Sequence, residues 1–499
     1  MKWKMCIGLL ALIIFSNVAN AQSCGWTPIP PANSACGTWQ MYGGSQKHTG
    51  IQRMKANMSS GRFVKWSYTT GNWVWSSPAI GDINNDGIPD VVVGSWDKKI
   101  YALRGDNGNL LWSYTTGDAV LSSPAIGDIN NDGIPDVVVG SKDSKIYALR
   151  GDDGSLLWSY TTGGWVETSP AIGDINNDGI PDVVVGSGNH KIYALKGTDG
   201  SLLWSYTTGF LVLSSPAIGD INNDGIPDVV VGSWDKKIYA LRGDNGSLLW
   251  SYTTGDAVLS SPAIGDINND GIPDVVVGSD DYKIYALRGD NGSLLWSYTT
   301  GNYFRSSPAI GDINNDEIPD VVVGSWDSKI YALRGDNGSL LWSVSLPSQY
   351  WPDGIKLADI DPSPGLEVIA STGHDRVYVI SSNGAVLWSM APVGQMRNSS
   401  VGDVDGDNCV EIVVTGEGTP MVAVIDAPGS NCSAEIRETN KINYQIEKNG
   451  IKLNRAVNYE LFSANGRLIK KGYGDFINIK NKGIYFLKAE SEVLKFVVK

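Results

Sequence analysis

The sequence predicts an all-β protein: an eight-bladed β-propeller followed by a small C-terminal β-sandwich. Three observations carry that expectation. The nonapeptide Asp82-Ile83-Asn84-Asn85-Asp86-Gly87-Ile88-Pro89-Asp90 returns almost letter for letter at Asp128, Asp174, Asp220, Asp266 and Asp312, a constant spacing of 46 residues. A fixed period of this size marks a repeat architecture, in which each unit covers the apolar face of its neighbour. Within one period, four β-rich runs (Pro78 to Ile83, Asp90 to Ser95, Lys99 to Arg104, Asn109 to Thr116) are separated by turn signals, with no helical period between them. Finally, Trp66, Trp112, Trp158, Trp204, Trp250, Trp296, Trp342 and Trp388 mark eight copies of the fourth run. Four-stranded units of this length arranged radially are propeller blades.

The first element is a leader. Residues 1–21 contain Lys2 and Lys4, an apolar run from Cys6 to Phe15 and the small-x-small ending Ala19-Asn20-Ala21, the pattern of a secretory signal peptide and too short to span a bilayer. Its removal leaves Cys24, Cys36, Cys409 and Cys432. An even count in an exported chain suggests two disulfides; the local pairing Cys24–Cys36 and Cys409–Cys432 is favoured, and a cross-pairing that ties the chain ends stays open.

Residues 22–61, rich in Pro, Ser and Gly, read as an irregular lead-in. The propeller follows over residues 62–428 and begins in mid-unit, because Phe63 to Thr70 matches the end of each later repeat. The first Trp run thus precedes every loop, while the last loop, at Asp403, has no Trp run after it. Pairing the N-terminal strand 63–70 into the final unit closes eight blades; a seven-bladed ring with a spare half-unit is the alternative.

Each loop sets oxygen side chains at positions 1, 3, 5 and 9, with Gly87 and its counterparts at position 6, where a tight turn needs positive φ. Three carboxylates, an amide oxygen, a backbone carbonyl and water suit Ca2+, whereas zinc would ask for Cys or His. The expected ligands are Asp82, Asn84, Asp86 and Asp90; Asp128, Asn130, Asp132 and Asp136; Asp174, Asn176, Asp178 and Asp182; Asp220, Asn222, Asp224 and Asp228; Asp266, Asn268, Asp270 and Asp274; and Asp312, Asn314, Asp316 and Asp320. Two diverged copies hold the spacing at Asp359, Asp361, Ser363 and Glu367, then Asp403, Asp405, Asp407 and Glu411. Up to eight Ca2+ sites are therefore expected. Glu317 and Pro364 occupy position 6 in loops six and seven and resist the left-handed turn. A turn that binds nothing would use the same residue types, but the spacing persists where the filler changes.

The formal charge of −14 agrees with this, since the loops hold many of the 53 acidic residues. An acidic chain also argues against nucleic acid as a partner. No later run is long and apolar enough for a transmembrane segment.

The Asp-x-Asn-x-Asp-Gly-x-x-Asp loop followed by Val-Val-Val-Gly-Ser resembles the FG-GAP/VCBS calcium-loop repeats of integrin α-subunit propellers and many bacterial surface proteins. The run Lys-Ile-Tyr-Ala-Leu-Arg-Gly-Asp-Asn-Gly-Ser-Leu-Leu-Trp is similar to the repeat of PQQ-type propellers, whose Trp packs between adjacent blades. These resemblances imply the fold over roughly residues 63–426, and they host binding proteins and enzymes alike. Residues 429–499 form a linker and a C-terminal domain. The runs Val457 to Arg467, Gly483 to Lys488 and Lys495 to Lys499 resemble the sorting domain of type IX secretion cargo, which implies a protein secreted from, or held at the outer surface of, a Gram-negative bacterium.

The near-identical repeats differ in two places: the segment that enters the first strand, and the turn between the second and third strands. In an up-and-down blade both lie on one face, opposite the cation loops. They bring Trp73, Trp75, Trp96, Trp165, Trp234, Tyr282, Tyr303 and Trp326 to that face, with Glu167 and Arg305 near the channel mouth. Exposed rings beside polar groups suit an extracellular glycan or a protein ligand; the competing expectation is that the rings simply pack between blade tops.

No catalytic residue is assigned. The three histidines, His48, His190 and His374, are unrepeated, and no nucleophile–base order, phosphate loop or hydrolase motif emerges. A non-enzymatic binding or adhesion module is the expected function. The alternative is a calcium-dependent polysaccharide-degrading enzyme, since some polysaccharide lyases resemble this chain in using calcium and eight blades. Arg104-Gly105-Asp106 and its copies spell an integrin-binding tripeptide, but turn chemistry at a strand end accounts for them.

Overall fold

The computed structural model describes residues 45, 48, 51–59, 61–347, 352–373, 376–407 and 409–427, together with the backbone of five strands between 444 and 498. The expected leader, Cys24, Cys36, Cys432 and His374 lie outside the described residues. Two compact units emerge, Met1–Cys432 and Ser433–Lys499.

The first unit is an eight-bladed β-propeller. Blade one consists of Ala79–Gly81, Asp90–Gly94, Lys99–Arg104 and Leu110–Thr115, hydrogen-bonded in that order and antiparallel throughout. Blades two to six repeat this plan. The second and third strands are buried on both sheet faces, which is why they read as unbroken Val-Val-Val and Ile-Tyr-Ala-Leu runs rather than alternating ones. Alternate residues serve opposite neighbours. Val138 packs with Trp158, Val183 and Val185 towards blade three, while Val137 and Val139 pack with Ile83, Val92 and Trp112 towards blade one. A single blade could not bury both faces alone, so ring and blade stabilise each other.

The closure follows the repeat count. Phe63–Tyr68 pairs antiparallel with Val422–Asp426 as the outer strand of blade eight, beyond Met396–Gly402 and Glu411–Gly416. The indole N–H of every fourth-strand Trp except Trp388 donates to a carbonyl in the next blade's final turn. Trp66 reaches Gly105 at 2.5 Å, Trp112 reaches Gly151 at 2.6 Å, and the series continues to Trp342 and Ser382 at 2.7 Å. The glycines in these turns are required sterically: a Cβ on Gly108, already at φ 73°, would lie 2.6 Å from the Trp66 ring. Blade eight has no such turn, because its outer strand comes from the other end of the chain. There the Arg62 guanidinium covers Trp388, 4.5 Å from the ring centroid.

The lead-in departs from expectation. Ile51–Lys55 is a strand that pairs parallel with the first strand of blade seven, Pro352–Asp359, so blade seven has five strands. Ala56 and Met58 then bond the carbonyls of Asp359 and Ile360 beside the seventh loop. Gln52 Nε2 donates to Val401 O of blade eight at 3.0 Å, and His48 Nδ1 contacts Pro262 O of blade five at 3.2 Å. Contacts to blades five, seven and eight place this segment in the central channel. Burial there pulls the His48 pKa down to about 4, so the ring is neutral.

In the second unit, Tyr444–Glu447, Gly450–Ser463, Leu468–Asn478, Gly483–Ala489 and Glu492–Val498 form one antiparallel sheet centred on the long strand Gly450–Ser463.

Candidate functional site

The candidate cation loops join the first and second strands of each blade and share one face of the ring. In loop one, Asp82 accepts the amides of Asp86 (3.0 Å) and Gly87 (2.9 Å), Asn84 Oδ1 accepts Asp86 N–H (2.9 Å), and Asp86 Oδ1 accepts Ile88 N–H (3.0 Å). These bonds curl the backbone around the oxygens, and loops two to six repeat them. Position 9 is different in kind. Asp90, Asp136, Asp182, Asp228, Asp274 and Asp320 are essentially fully buried, and in each at least one carboxylate oxygen has no hydrogen-bond partner. Burial, followed by the Asp86 and Asp82 charges, lifts Asp90 to about 8; burial likewise raises Asp228 to about 7. An orphaned, buried acid oxygen beside further acids is a site with an electrostatic deficit. A hard divalent ion at the loop would satisfy it, and the all-oxygen donor set fits that ion.

The eight loops are not equivalent. Among the described residues, Asp403, Asp405 and Glu411 of loop eight are the carboxylates whose oxygens lie within 4.8 Å of one another. The carboxylates of loops one to seven are not gathered as tightly. Glu411 is fully buried with Oε1 unpartnered, and burial raises it to about 9. Lys65, from the closing strand, bridges Asp405 and Asp426. In loops one, two, four, five and six an arginine does a related job. Arg104 ties Asp86 at position 5 (2.6 Å) to Asp106 in the final turn (3.0 Å), and Arg150, Arg242, Arg288 and Arg334 repeat it. The Arg-Gly-Asp tripeptides are therefore internal ion pairs.

Loop six keeps the geometry of its neighbours: Glu317 takes φ 68° and its amide still donates to Asp312, at 2.9 Å. In loop seven the positive-φ turn moves to Gly365, at φ 101°. There Glu367, the position 9 acid, accepts the amides of Ile360 and Asp361 and the hydroxyl of Ser363. In loop eight Asp407 Oδ1 accepts Cys409 N–H at 2.7 Å. Cys409 is disulfide-bonded.

Successive loops also touch one another. Position 4 reads as filler, yet Asn85, Asn131, Asn177, Asn223 and Asn269 each reach the next loop. Their Nδ2 groups donate to the position 6 carbonyls of Gly133, Gly179, Gly225, Gly271 and Glu317 at 2.7, 3.0, 2.7, 2.8 and 2.8 Å. The repeated Asn-Asn pair was the available signal.

The opposite face carries the variable residues, as the strand order requires. Part of it is structural. Asp97, Asp143, Asp235, Asp281 and Asp327 each accept the amide of a glycine that ends the preceding blade and the hydroxyl of a tyrosine four residues on. Asp281 is thereby committed to the frame, and its recurrence mid-turn was the sequence clue. Trp75 and Trp96 are half-buried against each other, with ring centroids 4.8 Å apart. Arg397 covers Trp75 at 4.6 Å. Glu167 pairs with Lys142 at 3.2 Å. Arg305 holds Asp280 through two nitrogens, at 3.2 and 3.0 Å, and lies 4.5 Å over Trp326. Tyr303 bridges Tyr282 and Trp326. Packing between blade tops thus accounts for Trp75, Trp96, Tyr303 and Trp326. Trp73, Trp165, Trp234 and Tyr282 remain 37–43% exposed, and Phe210, outside the expected set, joins them at 44%, stacked on Trp234.

A family model described as outer membrane protein assembly factor BamB, built on PQQ-type repeats, matches residues 133–270, 181–325 and 227–391, together just over half of the chain. The chain belongs to this PQQ-repeat propeller family. A second model, an FG-GAP-like repeat, matches residues 82–139. A sequence search of curated proteins returned no match. Among solved structures, BamB from Moraxella catarrhalis is 16% identical with a TM-score of 0.55, covering 74% of this chain and 99% of that one. The quinohemoprotein alcohol dehydrogenase ADHIIG from Pseudomonas putida HK5 is 14% identical with a TM-score of 0.62, covering 79% and 81%. The quinohemoprotein alcohol dehydrogenase from Comamonas testosteroni is 16% identical with a TM-score of 0.61, covering 83% and 84%. At these identities the likeness is one of fold. No helix among the described residues is long and apolar enough to cross a membrane.

Proposed function

We propose that this PQQ-repeat propeller is a secreted or cell-surface binding module that recognises an extracellular glycan or protein through the face opposite its cation loops. Calcium in the loops stabilises the ring, and the C-terminal unit directs the protein through the secretion machinery. One observation carries the reading: at positions that vary among nearly identical repeats, several aromatic rings stand in solvent. Val74, Val120, Val166, Val212 and Val258 are buried and constant at the blade entrance, whereas Trp73, Trp165, Phe210, Trp234 and Tyr282 occupy positions whose residue changes from blade to blade and stand in solvent. The fold has no use for exposed rings at these positions, while a sugar or protein partner does. A quinone-dependent reaction is not supported here, because His48 and residues 51–58 occupy the central channel.

A glycan array with the full secreted chain, followed by a product assay on each hit, tests this. Trp73→Ala and Trp234→Ala should leave the melting temperature within about 2 °C of the parent, as surface truncations do, and should weaken binding at least tenfold. Turnover of any polymer, or binding unchanged in both variants, would overturn the proposal.

A further inference from the structure

The five asparagine bridges connect loops that are otherwise separate turns on separate blades. We propose that the cation loops of blades one to six fill cooperatively, as one coupled series; this rests on the calcium reading above. The path is explicit. In each loop the position 6 amide N–H donates to a position 1 carboxylate oxygen, as Gly179 does to Asp174 at 2.9 Å. The carbonyl of that same residue accepts the position 4 asparagine of the preceding loop, as Gly179 accepts Asn131. One residue therefore holds a candidate ligand of its own loop and is held by the neighbouring loop.

Position 4 takes one conformation in all six loops. Asn85, Asn131, Asn177, Asn223, Asn269 and Asn315 all take the left-handed conformation, at φ 57–60°, a region that asparagine tolerates but does not prefer. An ion bound at positions 3 and 5 fixes the residue between them, which fixes the turn of the next loop before its own ion arrives. The second ion then meets a site whose ordering cost has already been met, which is positive coupling. The acid clusters do not carry this alone: in each of the six loops a buried position 9 carboxylate has an oxygen without a partner.

The sequence ends the series in a definite place. Position 4 is Pro362 in loop seven and Gly406 in loop eight, neither of which offers a side-chain amide. Asn315, the last asparagine, has the same φ as the others but, among the described residues, no bridge to loop seven. It is a built-in control.

The test is a calcium titration of the metal-stripped full chain by calorimetry, with bound ions counted by equilibrium dialysis and atomic emission. For the parent, the six-loop phase should run from 10% to 90% saturation over a span of free calcium well below the roughly eighty-fold of independent equal sites. Asn177→Ala cuts the series between loops three and four, and should broaden the transition at unchanged stoichiometry. Asn315→Ala removes a left-handed asparagine without cutting a bridge and should leave the steepness of the parent. A parent transition as broad as independent sites, or an Asn177→Ala transition as steep as the parent's, overturns the coupling while leaving the calcium sites standing. No bound calcium in the parent overturns the underlying reading instead.

Discussion

Position 9 of loops one to six shows how burial leaves a carboxylate oxygen without a partner. Asp228 is buried at the start of the strand Asp228–Ser233; its Oδ2 accepts the amide of Ile221, and its Oδ1 has no partner. In the metal-free protein its raised pKa, about 7, means that the folded state holds a proton between pH 3.8 and 7 that the unfolded state has released. Metal-free stability therefore falls as pH rises through that window, and it falls further for each of the six equivalent acids. Asp228→Asn removes the buried charge. In chelator at pH 7 this variant should be more stable than the parent by on the order of 2 kcal/mol, after discounting for partial screening. In saturating calcium the order should reverse, and binding should fall by one ion. Chemical denaturation under both conditions reads the crossing.

At the scale of the element, loop six isolates the cost of one backbone conformation. Glu317 holds φ 68°, where its five counterparts in blades one to five have glycine at φ 85–88°. A β-carbon there costs roughly 1–2 kcal/mol, partly offset by the larger unfolded-state entropy of glycine. Glu317→Gly should stabilise the protein by about 1 kcal/mol and tighten the sixth cation loop, as a denaturation series and a calcium titration would show. The blade was legible in the sequence because each of its devices has a local signature: the Trp that docks on the next turn, the glycines that admit it, the alternation of facing residues. The bridges between loops were not legible, because Asn85 and Gly133 become neighbours only after the ring has formed.

At the scale of the whole molecule, counting loops against Trp runs located the closure. The pairing of Phe63–Tyr68 with Val422–Asp426 follows from that count. The charge at this junction is inverted: Asp426 takes the place of the arginine at the end of the third strand, and Lys65 on the incoming strand restores the positive partner. Burial pulls the Lys65 pKa down, but the two carboxylates more than offset it and hold the ammonium charged. The course of residues 51–58 was hidden, since Ile51–Lys55 lacks the alternation and turn signals of the other strands and pairs parallel with a partner far along the chain. Of the opposite face, the sequence located the aromatic positions but not their division into packed and exposed rings, which depends on whether a neighbouring turn presents an arginine, a glycine or another ring.

The central claim is that the loop face is a ring of calcium sites that stabilises the propeller, leaving recognition to the other face. Differential scanning calorimetry of the full chain, in chelator and then in calcium at about a hundredfold excess over the dissociation constant, tests it most directly. Each filled site adds about 2.7 kcal/mol at that excess, so several sites together should raise the melting temperature by well over 10 °C, with magnesium giving a smaller shift. Superimposable traces in chelator and calcium would contradict the account.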